Sequence, residues 1–199
     1  MHKFVEILFY GRSLLSWLLY RFGPARSFLN EDMKRAAFMT PYSKPGFRLM
    51  NYLLIYNKPF RSVFYMRLRK VRVLARLNRI FYRPLDSIEF GDNIGSGLLV
   101  FHNTGCVVYP ERTGKNLTVG HLVTIGEGHA DETGRTSPII GDDVWISTGS
   151  IVFGPVTIGN NVMIGAGTVL HKSVPDNCIV VGNPARIIEK DGKKCNIPL

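Results

Sequence analysis

The chain has 199 residues, 45% hydrophobic and 20% charged, enough to bury a sizeable core in one domain with an appendage. Its net charge of +10 is uneven: residues 1–85 hold 17 Lys/Arg against 3 Asp/Glu, while residues 86–199 hold 8 against 12. Three cysteines, Cys106, Cys178 and Cys195, are an odd number without metal-ligand spacing, which points to a reducing compartment.

Residues 4–22 read as an amphipathic helix with Glu6, Arg12, Ser13, Ser16 and Arg21 on one side, lying at a membrane surface or buried against other helices of the same domain. Glu6 and Arg12 interrupt the apolar run and no cleavage site follows, so it is not a signal peptide, and it is short for a membrane span. Gly23-Pro24 breaks this helix. Asn30 opens another, Pro41 and Pro45 bound a loop, and residues 46–57 form a short helix. The spacing over 60–82 predicts a further helix, with Arg69, Arg72, Arg76, Arg79 and Arg83 in one stripe. Two readings of the stripe stand: a solvated or intersubunit ion-pairing face, or a surface for lipid or pyrophosphate headgroups.

From Ile88 the period changes. Ile88, Ile94 and Val100 are six residues apart, and so are Ile140, Ile146, Val152, Ile158, Ile164 and Leu170. Neither a helix nor simple strand alternation repeats every six. Short strands joined by tight corners do, with one apolar side chain per strand turned inward. The period slips between Val100 and Val108, and residues 127–138 interrupt it as a polar loop. The expected organisation is a basic helical region at 1–85, a solenoid at 86–188 and a loosely held polar tail at 189–199.

The slip holds Phe101-His102-Asn103-Thr104-Gly105. A solenoid gains nothing structural from an imidazole there, and the broken coil beside a polar loop makes a cleft with a titratable rim. LLVFHNTGCVV, VTIGEG, the regular hexads and VPDNCIVVGNPARII together resemble the serine acetyltransferase branch of the hexapeptide-repeat acyltransferases. They also resemble the O-acetyltransferases of capsule and exopolysaccharide gene clusters. The resemblance covers residues 86–188. It implies a mainly β fold, a left-handed parallel β-helix behind the α-helical N-terminal region. It implies a homotrimer, with a hexamer as the alternative assembly, and acetyl-CoA bound between subunits without a metal.

By that resemblance His102 is the general base that takes the proton from an acceptor hydroxyl. The oxyanion would meet backbone N–H groups near the Ile125–Gly128 turn. Gly128, Thr148 and Ala166 match positions along the CoA arm, and Lys172 and Arg186 are candidate phosphate contacts. His121, one coil on, could face the acceptor; packing is the competing reading. The chain departs from the serine-specific pattern at three places. Phe101 replaces an aspartate before the histidine. Ser87 stands where an aspartate orients the base, with Asp86 and Glu89 as neighbouring substitutes. Thr136-Ser137 replaces an Arg-His pair. The helical region, about 85 residues, is also shorter than is usual in that branch. The expected acceptor is therefore a neutral sugar hydroxyl of a cell-surface polysaccharide or its lipid-linked precursor. The alternatives are serine O-acetylation in cysteine biosynthesis, and a non-catalytic basic solenoid bound to membrane. Nucleic acid is disfavoured, because no stacking platform accompanies the basic stripe. The expected location is cytoplasmic, with peripheral contact at the inner, anionic face of the plasma membrane.

Overall fold

The computed structural model describes residues 2–199, with side chains from Val5 onward. The chain divides into two compact units, Met1–Asp86 and Ser87–Leu199.

The first unit holds α1 (His2–Leu8), α2 (Leu14–Phe22), α3 (Arg26–Ala36), α4 (Phe47–Tyr56), α5 (Lys58–Arg67) and α6 (Arg72–Arg79). The continuous helix expected over 4–22 is broken between α1 and α2, and the one over 60–82 is broken by a 3-10 turn at Arg69–Val71. Asn57 caps α5 by accepting the Phe60 N–H at 3.0 Å, with Pro59 in the first turn. The wholly buried Leu68 ends α5. Among the described residues no helix is long and apolar enough to cross a membrane.

Part of the polar side expected on residues 4–22 turns inward, while Arg21 stays exposed. Glu6, Ser13 and Ser16 are buried, while Ile7, Leu8, Leu14, Leu18 and Phe22 are exposed. Hydrogen bonds make this burial tolerable. Tyr42 donates to Glu6 Oε2 at 2.5 Å. Ser13 donates to Asn51 Oδ1 and meets the Tyr82 hydroxyl at 2.5 Å. Ser16 donates to Asn78 Oδ1 at 2.8 Å, and Asn78 Nδ2 donates to the Tyr65 hydroxyl at 3.0 Å. A buried ion pair, Arg67 Nε to Asp32 Oδ2 at 2.8 Å, ties α5 to α3. Leu29, Met33, Leu53 and Phe64 fill the apolar remainder.

The second unit is the expected left-handed parallel β-helix. Its first coil carries β1 (Ile88–Phe90) and β2 (Leu99–Val100). The second carries β3 (Cys106–Val108), β4 (Arg112–Thr113) and β5 (Thr118–Val119). The third carries β6 (Thr124–Gly126), β7 (Ile139–Ile140) and β8 (Trp145–Ile146). The fourth carries β9 (Ile151–Phe153), β10 (Thr157–Ile158) and β11 (Met163–Ile164), and the fifth carries β12 (Val169–Leu170) and β13 (Cys178–Val181). In the regular part each strand pairs in parallel with the one eighteen residues on, as Ile139 with Thr157, Trp145 with Met163 and Ile151 with Val169. Val108, Val119, Ile125, Ile146, Val152 and Ile164 stack as a dry column with no solvent exposure. Asn116, Asp143, Asn161 and Asn177 take left-handed backbone at one corner, where a short amide or carboxylate side chain tolerates it. Asn116 donates to Asp143 at 2.8 Å and Asn161 to Asn177 at 2.9 Å, linking successive coils. At another corner a Cβ on Gly141 would sit 2.7 Å from the Gly159 carbonyl oxygen, so the coils stack this closely only with glycine there.

Residues 189–199 are not a loose tail. β14 (Arg186–Lys190) and β15 (Lys193–Pro198) form an antiparallel hairpin that extends the sheet of β13. Its residues alternate too weakly in polarity to mark a strand, and the edge of β13 supplies the pairing.

Candidate functional site

The site is set by one corner of the β-helix, where the chain leaves β2, β5, β8 or β11 for the next coil. His102, His121, Thr148 and Ala166 each stand two residues past the inward-facing Val100, Val119, Ile146 and Ile164. The register of these strands places all four at this corner in consecutive coils. In the first coil the corner is two residues longer, since Val100 to Val108 spans eight residues where Val119 to Ile125 spans six. The added length pushes His102 out. It is exposed and holds a left-handed φ of 68°, a strained conformation for a residue with a Cβ.

The rings of His102 and His121 meet edge to face at 4.9 Å between centroids. His121 Nδ1 lies 3.2 Å from Thr148 Oγ1. That bond orients the second imidazole and, through it, the face against which the first rests. Phe101 and Trp145 stack at 5.9 Å and 13° beside the histidine pair. This platform escaped the sequence reading. Its signal was the register: Trp145 lies one residue before an inward position and Phe101 one residue after another. Beneath the corner, Cys106 is buried and its thiol donates to the Gly120 carbonyl at 3.0 Å. Burial pushes that thiol's pKa up, which keeps it an inert packing group.

The other sequence candidates fall into separate places. The Ser87 carbonyl accepts the Cys106 N–H at 3.0 Å, beside Gly105 at the lengthened corner. Glu89 is exposed and accepts from the Tyr109 hydroxyl at 3.4 Å. Asp86 closes the helical unit, paired with Arg83 at 2.6 Å. Among the described residues neither Ser87 nor Glu89 is hydrogen-bonded to His102. Gly128 and Lys172 share the corner on the far side of β6, β9 and β12, along with Gly154. A Cβ on Gly128 would lie 2.7 Å from the Gly154 Cα, so the loop base needs glycine for packing alone. Gly128 N–H already donates to the Thr136 carbonyl at 2.9 Å, which removes it from the expected oxyanion donors. Arg186 lies in the terminal hairpin, its Nε on Asn196 Oδ1 at 2.5 Å.

The loop 127–138 holds its own shape. Asp131 Oδ1 accepts from the Thr133 hydroxyl at 2.6 Å and from the N–H groups of Thr133 and Arg135. These bonds, the Thr133 hydroxyl foremost, hold the Asp131 carboxyl below its ordinary pKa. Arg135 reaches the next coil at the Pro155 carbonyl and the Thr157 hydroxyl.

Residues 137–172 match the family model described as bacterial transferase hexapeptide (six repeats). A serine acetyltransferase of Bacillus pumilus is 39% identical over 131 residues, covering 64% of this chain and 60% of that protein. The chain thus spans about three fifths of that relative's length. The crystal structure of Neisseria gonorrhoeae serine acetyltransferase superposes with a TM-score of 0.64 at 26% identity, covering 85% of this chain and 67% of that one. The same enzyme's structure in complex with serine superposes at 0.58 and 27% identity, covering 81% and 68%.

These relatives overturn the expected acceptor. They are named for serine, and polysaccharide O-acetylation has no support among them. The inference from Phe101 and Thr136-Ser137 failed because it treated a missing charge clamp as a missing amino-acid site.

Proposed function

We propose that this hexapeptide-repeat chain is an acyltransferase that moves the acetyl group of acetyl-CoA to the side-chain hydroxyl of serine. The observation that carries the reading is the histidine pair. His102 stands exposed on a strained corner, with His121 against its ring and Thr148 behind. The similarity to serine acetyltransferases supports the substrate.

In this reading His102 accepts the hydroxyl proton as the serine oxygen attacks the thioester carbonyl. The C–S bond of the resulting tetrahedral species breaks, and the CoA sulfur leaves with the proton returned by His102. O-acetylserine and CoA are the products. His121 positions the first ring. Ala166 and Thr148, small residues on the same corner, leave room for the CoA arm, and Lys172 is exposed and suited to a phosphate. Gly128 and Arg186 complete the proposed CoA contacts. We assign a trimer on the outward apolar residues of the β3, β6, β9 sheet: Val107, Ile151 and Phe153 are exposed in the single chain. The reaction is placed in the cytoplasm, where acetyl-CoA is made available.

The test is thiol release from acetyl-CoA with free L-serine as acceptor. Saturable release, with O-acetylserine identified as product, is expected. Release with other hydroxyl acceptors but not with L-serine would overturn the substrate, and no release with any acceptor would overturn the activity.

A further inference from the structure

The 3-10 turn at Arg69–Val71 and α6 enclose a pocket of about 220 Å³ in the helical unit, lined by Tyr65, Arg69, Arg72, Arg76 and Arg79. Its apolar lining, Leu68 and Ala75, is buried. We propose that this pocket binds a multiply charged phosphoryl group, of which a diphosphate is the simplest form.

Arg72, Arg76 and Arg79 follow one another at helical spacing, so their guanidinium groups project from one side of α6. Ala75 and Asn78 turn to the core on another side, and the exposed Val73, Leu77 and Ile80 occupy a third. The arginine face thus borders the buried Ala75, which floors the pocket, and lies away from the exposed apolar side. Three guanidinium groups so close together repel each other unless an anion joins them.

The helical unit has no anion to spare. Of the four carboxylates in Met1–Asp86, Glu6 is buried against Tyr42, Asp32 is paired with Arg67, and Glu31 is paired with Lys34 and Asp86 with Arg83, these last two pairs at 2.6 Å. Arg72, Arg76 and Arg79 form no ion pair among the described residues. Arg79 lies over the Tyr65 ring at 5.1 Å, which holds its fork in place before any ligand arrives. Tyr65 accepts from Asn78 Nδ2, so its own proton remains to be donated. Burial pushes that phenol up to about 12, so it remains a donor at neutral pH. Rigid forks with several donors suit phosphate oxygens, and the pocket's multiple charges favour a dianion or higher over a single carboxylate. The ligand chemistry has two sources, a soluble diphosphate or the phosphorylated headgroup of a lipid.

The experiment uses the full chain and calorimetric titration with sodium pyrophosphate, with sodium chloride at matched ionic strength as the blank. Saturable binding is expected, weakened at least tenfold in Arg76→Gln/Arg79→Gln and unchanged in Arg21→Gln, an exposed arginine outside the pocket. A second arm floats the protein with neutral vesicles and with vesicles carrying phosphatidylinositol phosphate. Flotation lost in the double variant and competed by pyrophosphate assigns the headgroup source, whereas pyrophosphate binding without flotation assigns the soluble one. Heat no larger than the chloride blank together with no flotation, or equal binding by the double variant, overturns the proposal. Binding is read without turnover, so this result stands apart from that of the serine assay, and the double variant is expected to keep wild-type acetyl transfer.

Discussion

In the β-helix Ile146, Val152 and Ile164 have no solvent exposure, whereas in the helical unit Ile7, Leu18 and Ile80 are 60%, 44% and 77% exposed while Ser13 and Ser16 are sealed. The same rule, apolar inward, describes the column of one unit; in the other it holds for Leu29, Met33, Leu53 and Phe64 but fails along the exposed sides of α1, α2 and α6. A solenoid coil has one inside. Its backbone dictates which residue of each hexad points there, and nothing else in the chain can reassign it. A helix has no inside of its own. It buries whichever side its neighbours satisfy, and here Asn51, Asn78, Tyr65 and Tyr82 satisfy a polar one. One unit is built on an aliphatic column, the other on an apolar core, Leu29, Met33, Leu53 and Phe64 among it, joined to a buried hydrogen-bonded network and an ion pair.

The largest effect expected on this comparison comes from a residue that belongs to neither kind of core. His102 is exposed and strained, so His102→Ala should lower kcat with L-serine by ~10²–10⁴-fold. Its thermal midpoint should stay close to wild type. Turnover within a few-fold of wild type would move the base elsewhere, to His121 first. A large fall in the midpoint would make the corner part of the fold rather than of the chemistry.

Two substitutions then separate the cores. Asp32→Ala leaves the Arg67 guanidinium buried without its partner, at a cost of about 3–5 kcal/mol. Ile146→Ala empties one position of the column, and about 2–5 kcal/mol is lost there. Chemical denaturation followed by probes in each unit should show Asp32→Ala moving the helical transition and Ile146→Ala moving the β-helix transition. A near-neutral Asp32→Ala would mean the ion pair contributes little, and the contrast drawn above would collapse.

This difference also explains what could be read before the fold was known. Ile140 through Leu170 gave short strands, corners and column directly, because neither a helix nor strand alternation repeats every six, while the handedness came from the family resemblance. His102, His121, Thr148 and Ala166 were all legible as candidates, and the shared corner follows from adding two to each inward position. The Phe101–Trp145 stack was not legible, because 44 residues separate its members and a twelve-residue loop lies between them. In the helical unit, residues 4–22 showed two faces clearly, but nothing in them says that Tyr42, Asn51 and Asn78 will arrive on the polar one. The terminal hairpin was hidden for a similar reason: Lys193–Pro198 forms a strand only because β14 offers it an edge.

The smallest expected effect probes the polar core through pH. Tyr42 is pushed up to about 12 from an ordinary 10.0, chiefly by its hydrogen bond to Glu6 and next by burial. A deprotonated phenol could not donate to that carboxylate, and its charge would face another. Folding therefore favours the protonated phenol. The stability it contributes is complete below pH 10, where both states hold the proton. Above 10 the unfolded chain releases its proton while the folded chain retains it, so stability falls with rising pH and this contribution is gone above about 12. Urea unfolding between pH 9 and 12 should show that decline in the helical transition. In Tyr42→Phe stability should be lower at pH 9 and decline less steeply, since one of the phenols that release protons has been removed. The β-helix transition should keep the same slope in both proteins. An unchanged slope in the variant's helical transition would mean that Glu6 and Tyr42 are not coupled in solution, and that the buried polar face of α1 is satisfied some other way.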